Sequence, residues 1–254
     1  MRKIIISLLV SIHPIVLYSQ LKEVDQLVEK FRGEWFSEEQ RQNYYFSRFE
    51  WVGNAKRGFG YGTILKYNKL GKELELSCVI VEQEKGKLVM RPFESIEKKR
   101  GWEVEKIQKD QLILNDKYLH VRLELKKEPS REIVEYEFLD DIWIEEIKSE
   151  EGEIIEKIDR IGYEFNRGKD EQVQEGTGSI FYIEHSKEGG EIYSISTNSM
   201  FTYEVFGFMG KEYVLMCGEL GYCNLYEIAK HSKDELNLID TKSQESVNFY
   251  RKVE

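Results

Sequence analysis

Few residues in this chain have the type and spacing to do chemistry, and each has a plainer role to set beside the chemical one. Beyond His13 near the N-terminus, the histidines are His120, His185 and His231. A zinc centre needs three or four His, Cys or carboxylate ligands converging on one point, and none of these histidines stands at such a spacing. His120 falls in a strand pattern, His185 in a turn and His231 beside a hairpin turn, so structural or solvated roles are expected. No Gly-x-Ser-x-Gly elbow, Cys–His nucleophile signature or phosphate-binding loop is present. Gly58-Phe59-Gly60-Tyr61-Gly62 is glycine-rich, but no helix N-terminus follows to hold an anion, so it is expected as a turn or bulge. Glu50 between Phe49 and Trp51, and Glu164 between Tyr163 and Phe165, are the candidates for acid or base work at a pocket mouth. The period of a strand offers the alternative, with aromatics facing in and the carboxylate facing water. Asp140-Asp141, Glu145-Glu146 and Glu150-Glu151 would attract Ca²⁺, yet their spacing matches no calcium loop and suits a solvated acidic edge. The expectation is a chain without catalytic, cofactor or metal residues, and hence not an enzyme.

The cysteines are Cys78, Cys217 and Cys223. Cys217-Gly-Glu-Leu-Gly-Tyr-Cys223 either closes a hairpin with a disulfide or sets two free thiols on neighbouring strands; the sequence is the same in both cases. Cys78 lies in an apolar run and is expected as a small buried side chain.

The elements that position these residues come twice. Trp35 recurs as Trp143, Phe49-Glu50-Trp51 as Tyr163-Glu164-Phe165, Gly62-Thr63-Ile64 as Gly178-Ser179-Ile180, and Gly86-Lys87 as Gly210-Lys211. The clearest match sets 102–116 against 226–240. An internal repeat dictates architecture before any local pattern does. Short alternating runs rich in Tyr and Phe, with only 3 Pro in the chain, are β composition. In the first copy strands are predicted at 33–37, 44–52, 61–67, 73–82, 87–92, 102–108, 111–114 and 119–126. In the second they are predicted at 143–147, 154–165, 179–184, 191–196, 201–208, 212–217, 224–230, 235–240 and 247–252. Sequential strands joined by short turns make an antiparallel up-and-down meander, and about eight of them close into a barrel that leaves no exposed edge. A short amphipathic helix precedes the first barrel, with Leu21, Val24, Leu27, Val28 and Phe31 on one stripe. The predicted fold is all-β, two tandem eight-stranded barrels at 21–128 and 132–254, joined near Glu128-Pro129-Ser130-Arg131. A rival boundary lies near Arg167, with the linker at 168–178.

At Gly33-Glu34-Trp35, directly after the helix, the chain resembles the lipocalin-like (calycin) barrels, in particular small secreted bacterial domains of that architecture. The resemblance implies that Trp35, and Trp143 in the second copy, close a barrel end, and that an Arg near the last strand packs over each Trp. Arg122 and Arg251 are the candidates for that Arg. The second copy has Asp141 where the pattern has Gly, and the Thr-Asp-Tyr turn of the core lipocalins is absent.

Met1-Arg2-Lys3 followed by an apolar stretch of about 15 residues has the layout of an export signal covering 1–20. The stretch is shorter than the ~20 residues of a membrane span and is broken by His13 and Pro14. The formal charge is −10, with Lys and Glu interleaved, and no basic patch is laced with aromatics, so nucleic acid is not an expected partner. An exported chain with repeated barrels and no catalytic set is expected to bind something. An eight-stranded barrel either holds one small apolar molecule or is filled by its own side chains and docks a protein or glycan through its surface.

Overall fold

Alternating apolar residues separated by Gly, Asn and Asp turns leave the chain only one way to bury its aromatics, as strands that pair with their sequence neighbours. The computed structural model bears this out over the residues it describes, which are 30–47, 50–52, 59–68, 73–84, 87–93, 101–116, 119–129, 139–146, 160–167, 175–185, 191–218 and 222–252. The proposed export signal, residues 21–29 of the amphipathic segment, and Ser130 and Arg131 lie outside them. The described residues contain no α-helix and seventeen strands. The chain divides into two compact units, Met1–Ser130 and Arg131–Glu254.

In the first unit the strands are β1 (Gly33–Ser37), β2 (Gln42–Phe46), β3 (Glu50–Val52), β4 (Phe59–Asn68), β5 (Glu73–Glu84), β6 (Lys87–Pro92), β7 (Trp102–Ile107), β8 (Gln111–Asp116) and β9 (Val121–Lys127). They pair in the order β2-β1-β9-β8-β7-β6-β5-β4-β3, and β2 also pairs with β4, which closes the sheet into a ring. Strands β2 and β3 lie end to end along β4: Phe46 faces Ile64 and Glu50 faces Tyr61, so four steps on one side span three on the other. The extra residue enters after Ser47 and before Glu50 pairs with Tyr61, while Ser47 itself keeps register with Thr63. The Ser47 N–H donates to Thr63 O at 3.0 Å, and its Oγ accepts from Thr63 N at 2.8 Å. Together β2 and β3 are therefore one bulged wall strand, and the barrel is eight-stranded.

In the second unit the strands are β10 (Ile142–Glu145), β11 (Arg160–Arg167), β12 (Glu175–His185), β13 (Glu191–Phe208), β14 (Lys211–Gly218), β15 (Cys223–His231), β16 (Glu235–Asp240) and β17 (Ser246–Arg251). They form a closed barrel in sequence order, with β17 returning to β10. The runs 191–196 and 201–208, predicted as separate strands, are the single strand β13. Both halves pair with β12, where the partners pass from Ser179–Met200 to Phe181–Ile195, so three extra residues of β13 are absorbed between them. That reduces nine predicted runs to eight strands.

The repeat holds at the level of register. Trp102 faces Asp116 and Tyr226 faces Asp240, and each pair is followed by a register shift, between Val104 and Lys106 in one barrel and between Ile228 and Lys230 in the other. The hydrogen bonds that follow match as well. Gln108 N donates to Gln111 O and Ser232 N to Glu235 O, both at 2.8 Å, while Lys127 N reaches Asp110 O at 3.0 Å and Arg251 N reaches Asp234 O at 3.1 Å. One predicted equivalence is corrected. Tyr44 faces Trp35 and Tyr163 faces Trp143, so the counterpart of Tyr163-Glu164-Phe165 is Tyr44-Tyr45-Phe46, not Phe49-Glu50-Trp51. By the same register Gly178-Ser179-Ile180 answers Ile64-Leu65-Lys66, two residues beyond the predicted match.

Each barrel has its own core. In the first, Trp35, Phe46, Val81, Met90, Leu112 and Leu125 are among the most buried members of a cluster drawn from seven of the eight wall strands, with the partly buried Trp102, Val104 and Ile107 of β7 packed against it. In the second, Trp143, Phe165, Tyr203, Val214, Leu236 and Phe249 belong to a cluster drawn likewise from seven wall strands, with the partly buried Ile180 of β12 packed against it.

Candidate functional site

The barrel ends come first, because β1 and β10 carry the residues that the resemblance singles out. Trp35 and Trp143 are both fully buried. Trp35 faces Lys127 across the seam and Trp143 faces Arg251, so Lys127 holds in the first barrel the place that Arg251 holds in the second. The Lys127 ammonium lies 5.2 Å from the centre of the Trp35 ring, a cation–π distance. Arg122 does not take this part. It is an exposed outward residue of β9 that pairs with Glu105 at 3.0 Å and with Glu124. The Gly and Asp of the two Trp motifs differ for a reason visible here. A Cβ on Gly33 would sit 3.3 Å from Lys127 Cε, at a φ of +111° that side chains rarely adopt. Asp141 instead offers a carboxylate, which pairs with Arg251 and accepts a bond from Ile142 N at 2.8 Å. The two indoles also differ. Trp35 Nε1 donates to Phe31 O at 2.7 Å, whereas the buried Trp143 Nε1 has no acceptor.

The lumen of the second barrel is lined by aromatics in mutual contact. Phe165 meets Phe201 at 5.6 Å and Tyr203 at 5.2 Å between ring centres, and Tyr163 meets Phe249 at 5.4 Å, all edge to face. The rings lie over glycines of the facing strands. A Cβ on Gly178 would come within 2.3 Å of Phe201 Cζ, and one on Gly176 within 2.7 Å of Tyr203 Cε1. Burial pushes the acidity of both the Tyr163 and Tyr226 phenols to higher pH, and the two phenols also act on each other. In the first barrel Tyr44, which answers Tyr163, is pushed up to about 12, chiefly by burial and then by the nearby Glu75 charge.

The remaining candidates disperse. Glu164 lies between the inward Tyr163 and Phe165, on the opposite face, and accepts a bond from Ser179 Oγ at 3.1 Å. Glu50 sits opposite Tyr61 on β3, with its side chain outside the described residues. His120 is exposed in the turn before β9 at φ +54°, not within a strand. His185 ends β12, its side chain outside the described residues, and His231 ends β15 with Nε2 3.5 Å from Glu212. Among the described residues no three His, Cys, Asp or Glu side chains gather as metal ligands. Glu150 and Glu151 lie outside them. From Phe59 the glycine-rich run is regular strand, paired with β5 without a register shift, so it is neither turn nor bulge; Gly58 lies outside the described residues. Cys217 and Cys223 face each other across the β14–β15 hairpin and are joined in a disulfide, with Cα atoms 4.1 Å apart. Cys78 is half-buried rather than buried, because Val79 and Val81 hold the inward positions of β5.

One feature escaped the sequence. The first barrel carries an open groove of about 720 Å³ between β9 and the β1–β2 turn, lined by Phe36, Glu38, Glu39, Val121, Arg122 and Glu124 among others. Its only sequence signal is the polar run Glu38-Glu39-Gln40-Arg41, which ends β1 early. Comparison of the chain with protein-family models, curated proteins and solved structures finds no match. The architecture, two closed eight-stranded antiparallel barrels, fits a lipocalin-like fold.

Proposed function

We propose that this chain is an exported, non-catalytic protein of lipocalin-like build that works through its outer surface, docking a protein or glycan partner with its barrel interiors filled. The observation that carries this is the packing of the lumens. Seven of the eight wall strands of each barrel send buried side chains into one cluster, the eighth packs partly buried side chains against it, and in the second barrel the rings of Tyr163, Phe165, Phe201, Tyr203 and Phe249 already touch one another. A barrel of this size is just wide enough to be filled in this way. Export is supported by the N-terminal pattern and by the Cys217–Cys223 bond, which persists in oxidising compartments.

A second reading, a small apolar ligand held in the second barrel, is favoured by one observation. Trp143 Nε1 is a buried donor without an acceptor, and a ligand carbonyl would satisfy it. Titration of the folded protein with an anilinonaphthalene dye separates the two. Filled barrels leave the dye dim up to high protein concentration. Saturable enhancement that a Phe165→Ala variant alters would favour the carrier.

A further inference from the structure

We propose that the free edge of β9 in the first barrel is a docking site for an extended peptide of alternating apolar and basic residues, which adds to the wall as a strand. This deepens the docking function proposed above and rests on it.

The seam between β1 and β9 is short. Only Trp35–Lys127 and Phe36–Lys126 pair, after which β1 ends at Ser37 and the chain turns through 38–41 into β2. Backbone groups of an antiparallel strand point alternately to its two neighbours. Lys127 N donates towards β8, to Asp110 O at 3.0 Å, while Glu128 N donates towards β1, to Glu34 O at 2.9 Å. Lys126, Glu124 and Arg122 therefore also aim their N–H and C=O groups at the β1 side. Lys126 meets Phe36 there, but Glu124 and Arg122 face the groove with no strand opposite among the described residues. The second barrel shows the seam continued at the matching places. Glu145 faces Phe249, and Glu146 N donates to Asn248 O at 2.7 Å. An open edge of this kind is a template for a strand from another chain, which gains main-chain hydrogen bonds from the edge and specificity from its alternate side chains.

The surroundings fix the chemistry of that strand. Leu123 and Leu125 point into the barrel, while Arg122 and Glu124 point out. A paired strand would set every second residue on the side of Val121, which is 42% exposed at the open end of the seam. The alternate residues would lie beside the outward charges. Lys126 is taken by Glu38 at 2.7 Å, and Arg122 by Glu105 and Glu124, which leaves Glu39 exposed and without an ion-pair partner among the described residues. Among the groove's lining residues three carboxylates, Glu38, Glu39 and Glu124, face two cations, Arg122 and Lys126, on a chain of formal charge −10, and the surplus favours basic side chains on the incoming strand.

The test uses the intact protein and a short capped peptide of alternating lysine and valine, with a glutamate–valine peptide as control. Amide exchange by NMR should show the Arg122 and Glu124 amides open in the free protein and slowed at least about tenfold by the lysine peptide. Glu124→Pro removes a seam-facing N–H and no bond to β8, so it should weaken binding at least about tenfold. Should that variant unfold, a lysine–valine peptide N-methylated at alternate residues removes the same bonds from the partner's side and should fail to bind. Glu39→Lys should weaken binding several-fold. Binding that leaves these two amides unprotected would overturn the proposal, as would equal binding of the glutamate peptide or no binding of either. Protection already present in the free protein would also overturn it, pointing to the chain's own N-terminal segment if independent of concentration and to a second copy if not. Failure of the peptide with a dim dye titration removes this site alone. A bright dye titration removes the docking function itself.

Discussion

Replacing Gly178 by alanine asks whether the second barrel is full. The new Cβ would lie 2.3 Å from Phe201 Cζ and 2.6 Å from Glu164 O, closer than any real Cβ contact. The Glu164 carbonyl belongs to a paired wall strand and cannot move far without breaking its ladder. The Phe201 ring is held by Phe165 at 5.6 Å and Tyr163 at 6.2 Å, so it cannot swing aside without displacing them. Overpacking a filled core costs about 1–3 kcal/mol. With backbone on one side and packed rings on the other, about 2 kcal/mol is expected. Gly207 is the control, since a Cβ there meets nothing closer than Lys211 O at 3.9 Å. Its alanine variant should be neutral or gain roughly 0.4–1 kcal/mol through the unfolded chain. Urea denaturation followed by near-ultraviolet circular dichroism measures both, with the native spectrum reporting the aromatic cluster. If Gly178→Ala is neutral or stabilising like Gly207→Ala, the ring has somewhere to go, and the filled lumen is refuted.

The two indoles should respond unequally to truncation. Trp35→Phe leaves the Phe31 carbonyl without its 2.7 Å donor, whereas Trp143→Phe removes a donor that has no acceptor, so the first should cost about 1–2 kcal/mol more in parallel denaturation curves. The double variant Cys217→Ser, Cys223→Ser opens a short loop and should lose about 2 kcal/mol by the chain-entropy estimate, and reducing agent should lower the wild-type midpoint but not that of the variant. Tyr44 gives a signature at alkaline pH. Burial raises its folded acidity to about 12 from the ordinary 10.0 of a tyrosine, so the fold favours the neutral phenol. That stability is fully present below pH 10 and is lost as pH rises towards 12, at up to about 1.4 kcal/mol per pH unit. Denaturation midpoints between pH 9 and 11.5 should therefore fall less steeply for Tyr44→Phe.

The strands were legible where alternation and turn residues agreed. The 102–116 hairpin and its counterpart at 226–240 aligned residue for residue, because the same shift follows Val104 and Ile228 and the sequence carries it in both copies. The pairing of Phe49-Glu50-Trp51 with Tyr163-Glu164-Phe165 misled because aromatic, polar, aromatic is what any inward-facing stretch shows at period two. The true equivalence depends on which residue faces each Trp and on the extra residue between Ser47 and Glu50, neither of which is a local property. Thr197-Asn198-Ser199 looks like a turn, yet β12 pairs on both sides of it and keeps β13 whole. Lys127 beside Trp35 is not legible from a motif that asks for arginine, because the register selects only the position. The open seam was illegible for the same reason: it follows from where β1 stops relative to β9, two strands far apart in sequence.

The most direct test of the central claim is native mass spectrometry of the protein purified from its own source, followed by organic extraction of the denatured sample. Filled barrels predict the mass of the mature chain with one disulfide and an extract containing no stoichiometric small molecule. A bound apolar species released only on denaturation would contradict the account and place a ligand in the lumen beside Trp143.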